Sequence, residues 1–205
     1  MDTIYNLLVA YTVAFIGAAS SGPATLAIMS TSATYGRAAG LRLGLGIANG
    51  SVIWGLFAAF GMIALLAQFA WALALIKTIG GAYLLWLASK ALHVALSPDQ
   101  GVQAMQVTPK GLYWQGLALH LTNPKAMLSW AAIIAIGAPT GTSAGYMMAL
   151  FAGVAIITFG TFIGYAVLFS TPRMMAGYQR LRRKINGALA AVFGFAGVKL
   201  LSSNT

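Results

Sequence analysis

Cysteine is absent from this 205-residue chain, and only two acidic residues, Asp2 and Asp99, stand against twelve lysines and arginines. Without cysteine there is no disulfide and no thiolate to bind a metal ion or to carry out redox chemistry. Two isolated acids supply neither the paired carboxylates of many hydrolases nor a carboxylate site for Mg²⁺. We therefore expect a protein that is not an enzyme and that holds no cofactor and no metal.

Charged residues of both signs are scarce, because they make up 7% of the chain whereas hydrophobic residues make up 60%. Soluble domains carry about a quarter charged residues, so this composition predicts a protein of the lipid bilayer. The net charge of +10 does not indicate a nucleic-acid partner, because long apolar runs separate the basic residues. Anionic membrane lipids are the expected partner for that charge.

The uncharged stretches predict six transmembrane helices, since about 20 apolar residues cross a bilayer. The first runs from about Ile4 to Ser30 and is expected to be a helix rather than a signal peptide, because no basic residue precedes it. The other boundaries are a tight turn at Gln68–Trp71, a polar loop at 97–110, a turn-forming segment at 137–145, and Lys184, after which the last span begins.

The basic residues fall in alternate loops of this six-span arrangement. Nine of the twelve are assigned to the first, third and fifth loops or their flanks: Arg37, Arg42, Lys90, Lys110, Arg173, Arg180, Arg182, Arg183 and Lys184. Because cytoplasmic loops carry the excess of positive charge, both termini are expected outside the cytoplasm. The run Arg180, Arg182, Arg183 and Lys184 is expected to bind anionic lipid headgroups, with a regulatory contact as the alternative.

Two helix-breaking pairs recur at half the chain length. Gly22-Pro23 and Asn123-Pro124 are 101 residues apart, and Gly81-Ala82 is echoed by Gly187-Ala188 at an offset of 106. Three spans per half would place the second half upside down relative to the first. We therefore expect one all-α transmembrane domain, 1–205, built from two inverted three-helix repeats of about 1–96 and 113–205, joined by a loop of about 97–112.

Each proline pair is expected to break its span inside the membrane and to start a new helix there, so that spans one and four are broken helices. Asn123 is a strong N-cap, and proline suits the first position of a helix. The two new helix N-termini would present free N–H groups to a carboxylate. Ordinary proline kinks are the alternative, since neighbouring helices can satisfy the freed backbone.

Several polar side chains near the breaks are candidates for substrate binding. Lys125 lies at membrane depth with no buried acid to pair with it, so we expect it to hold a substrate anion. His120, one turn before Asn123, is the candidate proton carrier, with a packing role as the alternative. Asn49 either bonds a neighbouring helix or lines the pocket. The substrate-binding set is thus Ser21, Gly22, Pro23, Asn49, Asn123, Pro124 and Lys125.

At these residues the sequence resembles the LysE/RhtB superfamily of bacterial amino-acid exporters. The resemblance rests on Ser21-Gly22-Pro23, Gly36-Arg37-Ala38-Ala39-Gly40, the run Gly44–Gly50, Gly80–Leu87 and Leu121-Thr122-Asn123-Pro124-Lys125-Ala126. It implies a multi-pass protein of the bacterial inner membrane, with both termini periplasmic, that expels an amino acid or an analogue. The chain departs from the family at Ser21, where a proline is usual, and at Ser51, where many members carry an acid.

The sequence therefore predicts a secondary-active exporter of an amino acid or a similar small zwitterion, since it contains no nucleotide-binding loop. The alternatives are a passive channel or uniporter for a small solute, and a non-catalytic membrane subunit needed for assembly. The sequence leaves the substrate, the coupling ion and the oligomeric state open. A homo-oligomer is one of the possible oligomeric states.

Overall fold

The computed structural model describes residues 2–20, 22–68, 72–97, 107–138 and 142–202. Within these ranges the chain forms α-helices and no β-strand, which confirms the expected all-helical architecture. The helices are α1 (Asp2–Ala19), α2 (Pro23–Tyr35), α3 (Arg37–Gln68), α4 (Ala72–Leu96), α5 (Leu112–Leu121), α6 (Pro124–Gly137), α7 (Ala144–Leu168) and α8 (Pro172–Ser202).

Four of the described helices contain stretches long and apolar enough to cross a membrane: Arg37–Gly61, Thr78–Leu96, Ala144–Leu168 and Pro172–Ser202. The pair α1 and α2, bent by 51°, gives a fifth candidate span. Helices α5 and α6 have 10 and 14 residues, each fewer than the roughly 20 that a crossing needs. The structure thus supports a polytopic membrane protein with four or five clear spans, and a sixth span made of α5 and α6 stays a prediction.

The helices start where the proline pairs predict. Pro23 begins α2 and Pro124 begins α6, each at a position where the missing N–H group would have no partner. Asn123 caps α6, because its side-chain oxygen accepts a hydrogen bond from the backbone N–H of Lys125 at 3.0 Å. Gly22 precedes α2 without a side-chain cap. The two helix breaks were therefore correctly predicted from local chemistry.

The assignment of the basic residues to loops was wrong for most of them. Arg37 begins α3 directly after Gly36, whose φ of 82° allows the sharp turn that links α2 to α3. Residues 173–184 form the first part of α8, because arginine and lysine favour helices and no proline interrupts the segment after Pro172. Arg180, Arg183 and Lys184 are exposed on this helix, and Arg182 is half-buried.

Close helix crossings depend on glycine. A Cβ atom at Gly81 would lie 3.2 Å from the carbonyl oxygen of Gly197, and one at Gly197 would lie 3.1 Å from that of Gly81. Ala88 faces Gly194, so α4 and α8 run antiparallel. Helices α3 and α5 approach as closely, because a Cβ atom at Gly46 would collide with the carbonyl oxygen of Tyr113. Glycine therefore allows the close approach of the helices at these crossings.

Gly160 and Gly164 are four residues apart, a spacing that is typical of close helix crossings. Gly160 and Gly164 on α7 have nothing in the described chain within 4 Å of an added Cβ atom. This pair therefore makes no close helix crossing within the described chain. The glycines that pack closely are instead those of α3, α4, α5 and α8, whose partner helices present backbone atoms to them.

The helix breaks divide the interior into two hydrophobic cores. The first joins residues of α1, α4, α6, α7 and α8 around Trp130 and Phe193. The second joins α2, α3, α5 and the later part of α7 around Ile47 and Phe162. Each broken pair thus contributes one half-helix to each core, and both breaks lie between the two cores.

Candidate functional site

A cavity of about 50 Å³ lies between the two cores, where both helix breaks meet. It is lined by residues of α1, α2, α3, α5, α6 and α7, so parts of the chain more than 100 residues apart meet there. A water molecule needs roughly 10–15 Å³ of such space, so the cavity suits a small solute. Beside Gly22 and Lys125, its polar lining consists of Thr25, Ser51, His120, Asn123, Ser129 and Thr158.

Asn123 lies on the wall of this cavity and fixes the start of α6. The residue is 8% exposed, and its Oδ1 atom accepts from the N–H of Lys125. That bond satisfies one of the free N–H groups of the first turn of α6. Asn123 therefore holds the positive end of this half-helix at the cavity.

The side chain of Lys125 extends from the break between α5 and α6 to the break between α1 and α2. Its Nζ atom donates to the carbonyl oxygen of Ser20 at 3.1 Å and also to the Ser20 hydroxyl. Ser20 follows the last residue of α1, where the partial charge of a helix end is negative. The sequence offered no acid as a partner for Lys125, and the structure supplies two neutral oxygens instead. Lys125 thus has hydrogen-bond partners although no acid pairs with it.

Gly22 makes room for that lysine. A Cβ atom at Gly22 would lie 3.1 Å from Nζ of Lys125 and 3.3 Å from its Cδ. The backbone of Gly22 is extended, with φ of −166°, so any residue could adopt it. The reason for glycine here is therefore space beside Lys125.

His120 borders the cavity from the last turn of α5. It is 6% exposed, its ring meets the ring of Phe162 edge-on at 5.8 Å, and Nδ1 is buried without a hydrogen-bond partner in the described chain. Gly50 of α3 leaves space for it, because a Cβ atom there would lie 2.9 Å from the Cβ atom of His120. The histidine is thus fixed by packing, and its Nδ1 atom has hydrogen-bonding capacity to spare.

Aromatic donors satisfy the carbonyl ends of both first half-helices. Tyr165 of α7 donates to the carbonyl oxygen of Ala19 at 2.7 Å. Trp54 of α3 donates through Nε1 to the carbonyl oxygen of His120 at 3.3 Å. Ala19 and His120 are 101 residues apart, the same offset as the two proline pairs. Each break therefore receives a donor from a helix of the opposite half.

The wall opposite the breaks comes from α3, α6 and α7. Trp130 is 3% exposed and donates through Nε1 to the hydroxyl of Ser51 at 3.0 Å. Val154, Thr158 and Phe162 of α7 complete the wall. Ser51 stands where the resemblance leads one to expect an acid, so this side of the cavity carries no negative charge.

The structure brings together some of the predicted site residues and separates others. Gly22, Asn123, Lys125 and the candidate proton carrier His120 all line the cavity. Pro23 and Pro124 act through the backbone, because they start α2 and α6 and are exposed. Ser21 lies outside the described residues.

Asn49 does not line the cavity. Its Nδ2 atom donates to the hydroxyl of Tyr113 on α5 at 2.8 Å, which favours the helix-bonding alternative. The basic run that includes Arg180, Arg182 and Lys184 lies on α8, away from the cavity lining. Arg183 donates through Nε to the carbonyl oxygen of Ala95 on α4 at 2.9 Å.

Sequence reasoning missed four lining residues: Thr25, Ser51, Ser129 and Thr158, of which Ser51 was noted only as a departure from the family. Each is a single small hydroxyl side chain within an apolar run, so no spacing pattern distinguishes it from a packing residue. Proximity to a helix break was the one usable signal, and it applies to Thr25 and Ser129. Trp130 also lines the cavity.

Within the described part of the chain, no group of three or more His, Cys, Asp or Glu residues is placed to hold a metal ion. The chemistry of the cavity is instead that of two helix N-termini, one cation, one imidazole and several hydroxyl groups. Such a lining suits a small polar ligand with a negatively charged group.

Comparisons with known proteins point to one family. The model of the LysE type translocator family matches residues 15–204. The chain is 28% identical to a threonine efflux protein of Salmonella typhi over 96% of this chain and 99% of that protein. It is 31% identical to the threonine efflux protein of Escherichia coli K12, with 90% and 91% covered.

A leucine efflux protein of Klebsiella pneumoniae is 27% identical to this chain, with 85% of each covered. No solved structure matches the chain significantly.

Proposed function

Because this chain belongs to the LysE type translocator family, we propose that it exports an amino acid with a neutral side chain as a secondary-active transporter. The family is a class of multi-pass membrane translocators and not a class of enzymes. Relatives of nearly the same length are named for the efflux of threonine and of leucine. The observation that carries the proposal is the meeting of both helix breaks and Lys125 in one cavity.

The substrate carboxylate binds between the two breaks, near Gly22, Asn123 and Lys125. The N-termini of α2 and α6 offer free N–H groups and partial positive charge, and Lys125 adds a full charge. A carboxylate bound here replaces the oxygens of Ser20 as the hydrogen-bond acceptor of the Lys125 ammonium. Discontinuous helices that receive substrate carboxylates in this way recur in secondary transporters.

The side chain of the substrate is neutral. Among the described residues that line the cavity none is acidic, and Lys125 makes the potential there positive. A lysine or arginine substrate would place a second cation near the first without a carboxylate to offset the repulsion. The walls beyond the breaks are apolar except for hydroxyl groups, which fits a short neutral side chain.

Two inverted repeats of three spans form the transport domain, with α5 and α6 as the broken fourth span. Support comes from Ala88 and Gly194, which face each other and are 106 residues apart, as residues on a two-fold axis would be. The matched donors to the carbonyl oxygens of Ala19 and His120 support the same symmetry.

Both termini lie on the periplasmic side of a bacterial inner membrane. The hydrogen bond between Lys199 and the hydroxyl of Tyr5 keeps the two ends of the chain on one side. The basic first part of α8 then lies at the cytoplasmic face, where Arg180, Arg182, Arg183 and Lys184 bind anionic lipids.

An efflux assay tests the proposed function. Cells expressing the protein and loaded with single dipeptides should release the constituent amino acid faster than cells with an empty vector. Asn123→Ala should cost about 1 kcal/mol of stability as a lost cap. At equal expression, Asn123→Ala and Lys125→Ala should both lower efflux, and Asn123→Ser, which keeps a cap, should lower it less. Normal efflux by both alanine variants would move the substrate site elsewhere.

Coupling to a proton gradient is a separate part of the proposal, with His120 as the proton carrier. Vesicles loaded with substrate and given an inward proton gradient should release it faster than vesicles without the gradient. The variant His120→Gln should lose the acceleration and keep the basal rate. Acceleration that survives in His120→Gln eliminates the histidine, and a wild type indifferent to the gradient favours uniport or exchange.

A further inference from the structure

Thr158 has no assigned role so far, and its environment is unusual. It belongs to the one buried stripe of α7, which consists of Leu150, Val154, Thr158, Phe162 and Ala166. Thr158 is the single polar residue of that stripe and is 5% exposed. Val154 and Phe162, one turn to either side, also line the cavity. A hydroxyl group thus stands in the middle of an apolar wall.

The hydroxyl of Thr158 makes no hydrogen bond to the described part of the chain. Threonines in helices usually bond the carbonyl oxygen one turn earlier, as Thr161 does to Ile157 at 2.7 Å on the same helix. Because Thr158 lines the cavity and its hydroxyl is bonded to no described group, the hydroxyl is available to a ligand in the cavity.

Thr158 also lies at a suitable place for a substrate side chain. The breaks with Gly22, Asn123 and Lys125 form one part of the cavity lining, and the α7 stripe forms another. For an amino acid with its carboxylate at the breaks, the α7 stripe would form part of the wall around its side chain. The small cavity admits a side chain of a few atoms.

We propose that Thr158 binds a hydroxyl group on the side chain of the transported amino acid, so that the substrate is a short hydroxylated amino acid. This inference rests on the proposed export function. The hydroxyl of Thr158 donates to or accepts from the substrate hydroxyl within the apolar wall, while Val154 and Phe162 pack against its carbon atoms. Thr158 is therefore a residue that determines specificity.

Threonine and valine test this inference because they have nearly the same shape and differ by a hydroxyl in place of a methyl group. The same exchange can be made in the protein with Thr158→Val. Efflux of threonine and valine, measured in competition from vesicles containing wild-type protein, should favour threonine. Thr158→Val should lower the threonine-to-valine ratio by about tenfold, the effect of one lost hydrogen bond. Thr158→Ser, which keeps the hydroxyl, should retain most of the preference.

The ratio is measured within one sample, so differences in expression or folding between variants cancel. An unchanged ratio in Thr158→Val would overturn the inference and leave export itself in place. Efflux of leucine or valine with no efflux of threonine by the wild type would also overturn it. Efflux of no amino acid at all would refute the proposed function, which distinguishes the two failures.

Discussion

Gly22 controls the space beside Lys125, and this suggests a test with a single methyl group. Gly22→Ala places a Cβ atom 3.1 Å from Nζ of Lys125, so the lysine side chain has to shift by a few tenths of an ångström, which disturbs its bonds to Ser20. The extended backbone at this position tolerates alanine without strain. We expect export to fall by at least about fivefold, because the displaced lysine disturbs the site, while the midpoint of thermal unfolding changes little.

The matched control is Gly160→Ala, which adds the same methyl group to α7 where nothing in the described chain lies within 4 Å. Export by Gly160→Ala should equal that of the wild type. If Gly22→Ala transports normally at equal expression, the position of Lys125 does not matter for transport.

At the scale of residues, local chemistry was predictable and distant pairing was not. The helix start after Asn123 was predictable because the capping residue, the proline and the apolar run follow one another directly in the sequence. Ser20 and Lys125 are 105 residues apart, and no acid marks the pair, so only the fold reveals it. Thr158 was missed because a single hydroxyl in an apolar run has the same pattern as a packing residue.

The crossing of α3 and α5 is the element-level feature most sensitive to added volume. A Cβ atom at Gly116 would collide with the carbonyl oxygen of Leu43 and lie 3.1 Å from the carbonyl carbon. Backbone atoms cannot rotate away, so Gly116→Ala has to push the two helices apart. We expect a loss of about 1–3 kcal/mol in stability, seen as a lower midpoint of thermal unfolding in detergent.

Gly164→Ala on α7 is the control for this prediction, because its added Cβ atom meets nothing within 4 Å in the described chain. Its unfolding midpoint should match that of the wild type. Equal midpoints for Gly116→Ala and Gly164→Ala would mean that α3 and α5 do not cross closely in the protein as it occurs in a membrane.

Elements were harder to delimit than to recognise. The apolar runs predicted the helices, and the turn expected at Gln68–Trp71 predicted the end of α3, which is Gln68. The basic segment 173–184 was assigned to a loop because its charges suggested solvent, yet it continues as helix into α8. Charge reports where a segment lies relative to the bilayer, whereas the absence of breakers decides whether it is helical.

The orientation of the whole molecule can be tested with single cysteines, because the natural chain has none. Lys110→Cys and Ala144→Cys place a thiol at two exposed positions, before α5 and at the start of α7. If α5 and α6 together form one crossing, the two thiols lie on opposite sides. A membrane-impermeant maleimide applied to intact spheroplasts should label Ala144→Cys, and Lys110→Cys only after permeabilisation.

Labelling of both thiols in intact spheroplasts would contradict a crossing by α5 and α6. Labelling of Lys110→Cys alone in intact spheroplasts would mean that α5 and α6 cross the membrane in the orientation opposite to the expected one. The positive-inside rule predicts that only Ala144→Cys is labelled in intact spheroplasts, since Lys110 was assigned to a basic, cytoplasmic loop. At the scale of the whole molecule, hydropathy predicted six spans, whereas the described helices give four or five clear ones, because α5 and α6 are each too short to cross alone.

Lys125, which lies where the two helix breaks meet, also affects how readily cations leak through the empty protein. A transporter that let Na⁺ or K⁺ slip through while empty would discharge the gradients on which the cell depends. With an effective dielectric constant of about 20, a cation about 4 Å from Nζ of Lys125 is disfavoured by about 4 kcal/mol, or close to a thousandfold in occupancy. At the proposed site, the charge that attracts a carboxylate would therefore also repel metal cations, so that one side chain would serve both cargo binding and resistance to leak.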